Sequence, residues 1–240
     1  MTYLLLAFFG LTAWFFSTIA AGGAAMLLIP VITFILGAQM VAPIISVAGL
    51  FANPSRALLF RTHIDWRVIL YLLPGSIIGA VFGAWSLTHS DVQIIQILLA
   101  IFLITYVIQD KFAKSKLAIK MKLAWFFPLG LVVSFLSGLI GATGPAHNPF
   151  MLSYGLEKER LIGTKAINSL VMQLTKVISY GVFGALTTQI TLYGITLGVG
   201  AIVGVFLARK HLSSIDKHQF RQYTLTLMFF SGIVMLYKAI

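Results

Sequence analysis

The sequence predicts an all-α polytopic membrane protein, an inverted five-plus-five repeat of transmembrane helices with one short, broken helix in each repeat. Three observations predict it: the composition, the order of the apolar runs, and the side on which basic residues fall. Of 240 residues, 59% are apolar or aromatic and only 10% are charged, whereas soluble domains carry about 25% charged residues. A globule has too little interior to hide that much apolar surface. A bilayer removes the difficulty, because each helical crossing needs roughly 20 apolar residues.

Apolar segments run at 3–20, 22–36, 40–61, 66–88 and 92–110, and then at 121–140, 142–155, 160–184, 188–209 and 218–238. The first of these resembles a signal peptide, with Ala20 and Ala21 near a cleavage point. No positive residue precedes its apolar run, however, and the repeat requires it, so it reads as the first transmembrane helix. Segments 22–36 and 142–155 are short and interrupted by Gly and Pro. Fourteen helical residues reach about 21 Å, less than a crossing of roughly 30 Å. Between the two sets lies a linker with Lys111, Lys114, Lys116, Lys120 and Lys122.

The halves resemble one another at an offset of about 120: Gly22 and Pro30 match Gly141 and Pro149, Asn53 and Arg56 match Gln173 and Lys176, and Gly79 and Gly83 match Gly200 and Gly204. The chain therefore divides into a first transmembrane repeat (1–110), a basic cytoplasmic linker (111–120) and a second transmembrane repeat (121–240).

Charge chooses between two topologies. In an eight-span alternative, four plus four, the short segments do not cross, and the lysine linker and the basic loop with Arg209, Lys210, Lys217 and Arg221 fall on opposite sides. That breaks the positive-inside rule. With ten crossings, the loops at 21–22, 61–66, 110–122, 156–160 and 209–218 share one side and carry nearly all the basic residues. The loops near 37–39, 88–92 and 185–188 carry no Lys or Arg, and only Lys238 falls outside the rule. Ten crossings put both termini outside.

In transporters built this way, substrate binds near the midplane where broken helices meet. The broken segments open with Gly22-Gly23-Ala24-Ala25 and Gly141-Ala142-Thr143-Gly144-Pro145. Helix starts inside a membrane present free N–H groups and a positive dipole end, which favour an anion, and Pro145 suits a first helical position. The bland reading of the glycines is close helix packing. His147 and Asn148 lie just beyond the second loop. His147 is read either as an anion or proton ligand or as a packed histidine. Arg56 and Lys176 occupy matched positions and offer an anion its counter-charge; Arg56 is near enough to a helix end to snorkel, Lys176 is deeper. Asn53, Asn168 and Gln173 share their helices, and Asn53 precedes Pro54, where a helix can open. The candidate substrate-binding set is Gly22, Gly23, Asn53, Arg56, Thr143, Gly144, His147, Asn148, Asn168, Gln173 and Lys176. Ser46, Thr164 and Lys165 are weaker candidates, with Lys165 read as a snorkelling residue.

Several functions are excluded or disfavoured. There is no cysteine, hence no disulfide and no thiolate metal site. Asp65, Asp91, Asp110, Glu157, Glu159 and Asp216 all fall at or near helix ends, so no carboxylate is placed to carry a cation across. A P-loop lysine motif is absent. The net charge of +11 has no basic face outside the apolar runs, which argues against nucleic acid. No cofactor or metal is expected, and the expected partners are a small anion and the lipid bilayer. The leading reading is a secondary transporter of a small anion, not an enzyme. The alternatives are a passive anion channel and, more remotely, an intramembrane serine hydrolase using Ser137 and His147.

These features resemble the TauE/SafE family of sulfite-exporter-like permeases along almost the whole chain. The resemblance rests on Gly22-Gly23 to Pro30, Asp65-Trp66, the Gly75/Gly79/Gly83 ladder, Gly138 to Pro149, and Gly163-Thr164. It implies transport of sulfur-containing anions such as sulfite, sulfonates or sulfoacetate, in a bacterial inner membrane. The chain departs from the family pattern in its shortened first glycine run, in Ala42-Pro43 opposite Gly163-Thr164, and in Thr143, Pro145 and His147 where glycines are usual.

The topology is testable because the chain has no cysteine of its own. Single cysteines replacing Lys116 and Lys217 are expected to react with an impermeant thiol reagent from the same face of the membrane. Labelling from opposite faces would restore the eight-span arrangement.

Overall fold

The computed structural model describes residues 2–19, 24–112, 121–141, 144–156 and 158–210, together with 225, 226, 229, 230, 232, 233, 236 and 237. Apart from short turns and connections these residues are helical, with no strand among them. The helices are α1 (Thr2–Ile19), α2 (Ala24–Leu36), α3 (Ala38–Leu59), α4 (Trp66–His89), α5 (Val92–Phe112), α6 (Phe126–Ile140), α7 (Asn148–Tyr154), α8 (Lys158–Val182) and α9 (Thr188–Lys210). Each coincides with a segment read from the sequence. The segment at 218–238 and the linker at 111–120 lie mostly outside the described residues.

Local chemistry sets several boundaries. Asp65 caps α4, its carboxylate accepting from the backbone N–H groups of Arg67 and Val68 at 3.1 and 3.3 Å, the usual role of an aspartate before a helix. Gly141 ends α6 at φ 90°, a left-handed conformation open to a residue without Cβ. A 3-10 turn (Gly144–His147) follows and leads into α7, only 7 residues long.

Three expectations change here. Over its described residues, 24–36, the segment at 22–36 is short but unbroken. α2 is one 13-residue helix with Pro30 inside it, since a proline removes a single N–H from the ladder and leaves only the carbonyl four residues earlier, on Met26, without that partner. Pro145 does not open a helix; it lies within the 3-10 turn, and the proline in the first turn of α7 is Pro149. Likewise α3 stays helical across Pro54.

Among the described residues, four stretches are long and apolar enough to cross a membrane: Ala38–Leu59, Trp66–His89, Leu123–Ile140 and Thr188–Ala208. α1, α2 and α5 contribute shorter apolar helices. α8 has the length, at 25 residues, but its Lys158, Glu159, Arg160, Lys165, Asn168, Gln173 and Lys176 lower its hydropathy. A polar helix of that length can lie within a membrane only when neighbours cover it, and α8 packs on both α3 and α4.

The most extensive pairings are α4 with α6 and α1 with α9, so each half gives a helix to the other. Glycine permits both. A Cβ on Gly75, Gly79 or Gly83 would overlap the carbonyl oxygens of Phe127, Leu131 and Phe135 of α6, and one on Gly200 or Gly204 those of Ala7 and Leu11 of α1. In lipid, where apolar contact gives helices no hydrophobic reason to associate, such close backbone approach supplies much of the attraction. α3 and α8 lie together between these pairs, α3 also packing on α9 and α8 on α4.

Gly79→Val and Gly200→Val are expected to cost about 1–3 kcal/mol each by overpacking and to lower the melting temperature in detergent by several degrees. Gly181, in α8, has nothing within 4 Å of an added Cβ, so Gly181→Ala should be neutral. Equal effects of all three would show that these interfaces do not depend on close approach.

Candidate functional site

α3 and α8 bring most of the predicted polar residues to the centre of the molecule. Gly49 of α3 faces Gln173 of α8, whose amide nitrogen would lie 2.8 Å from a Cβ placed on Gly49. Gln173 is buried, and its Oε1 has no hydrogen-bond partner among the described residues. Asn168, 1% exposed, accepts from the Ser76 hydroxyl of α4 at 2.9 Å. Asn53 is buried on α3.

Lys176 is the most demanding residue of the group. It is 0% exposed. Its ammonium donates to the Ser137 hydroxyl at 3.1 Å and, at 3.4 Å, to the Ser137 carbonyl. That carbonyl belongs to the last turn of α6, where the helix's negative dipole end favours a cation. One turn further along α8 the Tyr180 hydroxyl donates to the Gly138 carbonyl. No carboxylate pairs with Lys176 among the described residues; the ion pair described is Arg160 with Asp65, at 2.7 Å.

A second group collects nearer the start of α8. Lys165 donates to Asn148 Oδ1, on the first residue of α7, at 2.6 Å, so it turns towards the broken segment and does not snorkel as expected. His147 is 3% exposed, and its Nε2 has no partner among the described residues. Arg56 reaches across to the end of α1, donating to Ser17 Oγ at 3.1 Å and Thr18 Oγ1 at 2.9 Å. Lys165 bonds the residue that follows His147, and α3, which carries Arg56, packs on α8, so the three basic side chains sit on adjoining elements.

Of the predicted residues, Gly22, Gly23 and Thr143 lie outside the described residues, and Gly144 opens the 3-10 turn. The rest divide between the two groups along α3, α8 and the broken segment, whereas the sequence presents them as one set. Sequence reasoning missed Ser17, Thr18 and Tyr180, and it weighed Ser137 only as a nucleophile beside His147, whereas its hydroxyl is held by Lys176. A signal was present: Ser17 and Ser137 stand 120 positions apart, as Arg56 and Lys176 do. Arg56 bonds Ser17 and Lys176 bonds Ser137, so the two matched cations make matched contacts.

At the end of the molecule where α8 begins, Ile64 to Arg67 and Tyr154 to Leu156 line an open cleft of about 480 Å³ together with Arg160. Thr164 Oγ1 accepts from the Asp65 backbone N–H at 2.9 Å, which ties this loop to α8.

The fold and these buried polar groups define an all-helical membrane protein with cationic side chains inside its bundle. The chain belongs to the sulfite exporter TauE/SafE family, whose pattern it matches over residues 6–235. Membership makes it a transporter of the sulfite or anion exporter class and fits the expectation that it is not an enzyme. No curated protein matches the chain, and no solved structure matches it.

Proposed function

We propose that this chain is a secondary transporter that moves a small sulfur oxyanion of the sulfite, sulfonate or sulfoacetate type, with Lys176 as the counter-charge. The observation that carries this reading is a fully buried ammonium held by the neutral oxygens of Ser137. A charged lysine in a bilayer interior is costly and marks a pathway more often than a scaffold. An oxyanion beside Lys176 would supply the opposite charge that Ser137 cannot.

The five-plus-five inverted topology is part of the proposal, and two features support it. Asp65 bonds Arg160, and the Met121 backbone N–H donates to Ser153 Oγ at 3.3 Å. Both contacts join segments that the ten-crossing arrangement puts on one face and the eight-span arrangement puts on opposite faces. The exchanged pairs α1–α9 and α4–α6 are what two oppositely oriented copies produce when each lends its first helix to the other. Alternating access then follows as relative rocking of these glycine-locked pairs, each of which contains helices from both repeats, with α3 and α8 sliding between them.

Purified protein in liposomes is expected to show sulfite flux that saturates with concentration. Lys176→Ala should insert normally and lose at least about tenfold of that flux, equivalent to ~1.4 kcal/mol and within the worth of one charged hydrogen bond, about 1.5–3 kcal/mol. Wild-type flux in the variant would remove Lys176 from the mechanism, and flux linear in concentration would favour a passive channel.

A further inference from the structure

We propose that the chain holds two anion sites, the Lys176 site and a second one formed by Arg56, Lys165 and His147, and that an anion passes between them along one face of α8. This rests on the anion-transport reading above and adds a place that reading does not require. The first support is repetition. Arg56 and Lys176 are matched across the repeat, and each bonds a serine at the matched position, Ser17 or Ser137. If one member of the pair is a counter-charge for an anion, its equivalent has the chemistry to be another.

The second support is what the chain adds at Arg56 and not at Lys176. Lys165 and His147 have Ile45 and Leu28 as their first-half counterparts, so a second basic residue and an imidazole appear only at this level. Three like-charged or chargeable groups sharing a part-buried neighbourhood repel one another, and an anion among them relieves that repulsion. His147 brings a nitrogen shielded from solvent and without a partner among the described residues, placed where a ligand oxygen would satisfy it. Arg56 Nε is buried and unpartnered in the same way. Asn148, already on Lys165, has an amide group left to donate.

The third support is alignment. Lys165 and Lys176 are eleven residues apart, which is close to three full turns of an α-helix and about 16 Å of rise. They therefore lie on one side of α8, one towards each end of the helix (Lys158–Val182). That spacing suits a hand-over between sites, with binding at each weak enough to release, as multi-site conduction needs. The cleft lined by Arg67 and Arg160 opens near the same end as Lys165, about 7 Å along the helix from it by rise per residue, and gives this site its approach from the basic face of the molecule.

Isothermal titration of the purified full chain with sulfite tests the assignment. The wild type is expected to bind two equivalents. Lys176→Met should bind one, and Lys165→Met and Arg56→Gln should each bind one, with the Lys176 site retained. Melting curves of the three variants establish that each is folded, and two independent inner-site variants keep the test decisive if either is unstable. One equivalent in the wild type, lost in Lys176→Met and unchanged in both inner variants, would overturn the second site and leave the transport reading standing. Two equivalents persisting in both inner variants would overturn its location. No binding by the wild type would overturn both readings together.

Discussion

A lysine with no carboxylate partner among the described residues, 0% exposed at Lys176, sets the terms for the rest of this molecule. Insertion of a lysine at the centre of a membrane helix costs about 2.5–3.5 kcal/mol. Hydrogen bonds to a charged group return about 1.5–3 kcal/mol each, and a helix C-terminus adds about 0.3–1 kcal/mol. Ser137 therefore offsets the cost when the site is empty, through its hydroxyl and its carbonyl in the last turn of α6. Both partners are neutral, so the opposite charge is still missing. A lysine so placed is tolerable at rest and improved by an anion, which is the differential a binding site needs.

Holding that lysine requires α8 to be polar, and a polar helix requires company. α3 and α4 provide it, with Ser76 on Asn168 and Gly49 against Gln173. The outer pairs α1–α9 and α4–α6 achieve cohesion differently, by removing side chains until backbones touch. The two kinds of interface divide the labour. Glycine-lined contacts have two rigid surfaces and little freedom, while the α3–α8 seam carries Gln173 Oε1, a buried polar atom without a partner among the described residues. Unsatisfied groups inside a membrane protein are tolerated where a cavity or ligand completes them.

The helices were legible in the sequence almost to their ends because the bilayer imposes a simple length rule. Their partners were not. The Gly75, Gly79 and Gly83 spacing shows that a helix will be approached closely, but nothing in that ladder says that α6, from the other half, is the helix that approaches. The same limit applied at the site. Matched positions paired Arg56 with Lys176 in the sequence, and each bonds a serine that is matched in the same way. Lys165 was set aside as a residue reaching for the surface, because its distance from a helix end is visible in sequence and its contact with Asn148 is not. Prolines misled for a related reason: Pro30 and Pro54 read as breaks, yet a long helix absorbs one missing N–H, and the true break falls at Gly141, where a positive φ is needed.

The most direct test is a crystal structure with sulfite bound, read by the anomalous signal of sulfur. The account predicts a peak whose oxygens lie about 3 Å from the Lys176 ammonium, the length of a charge-assisted bond, with the Ser137 contact loosened or shared. An ammonium still bonded to Ser137 alone, with every sulfite peak elsewhere on the protein, would contradict it.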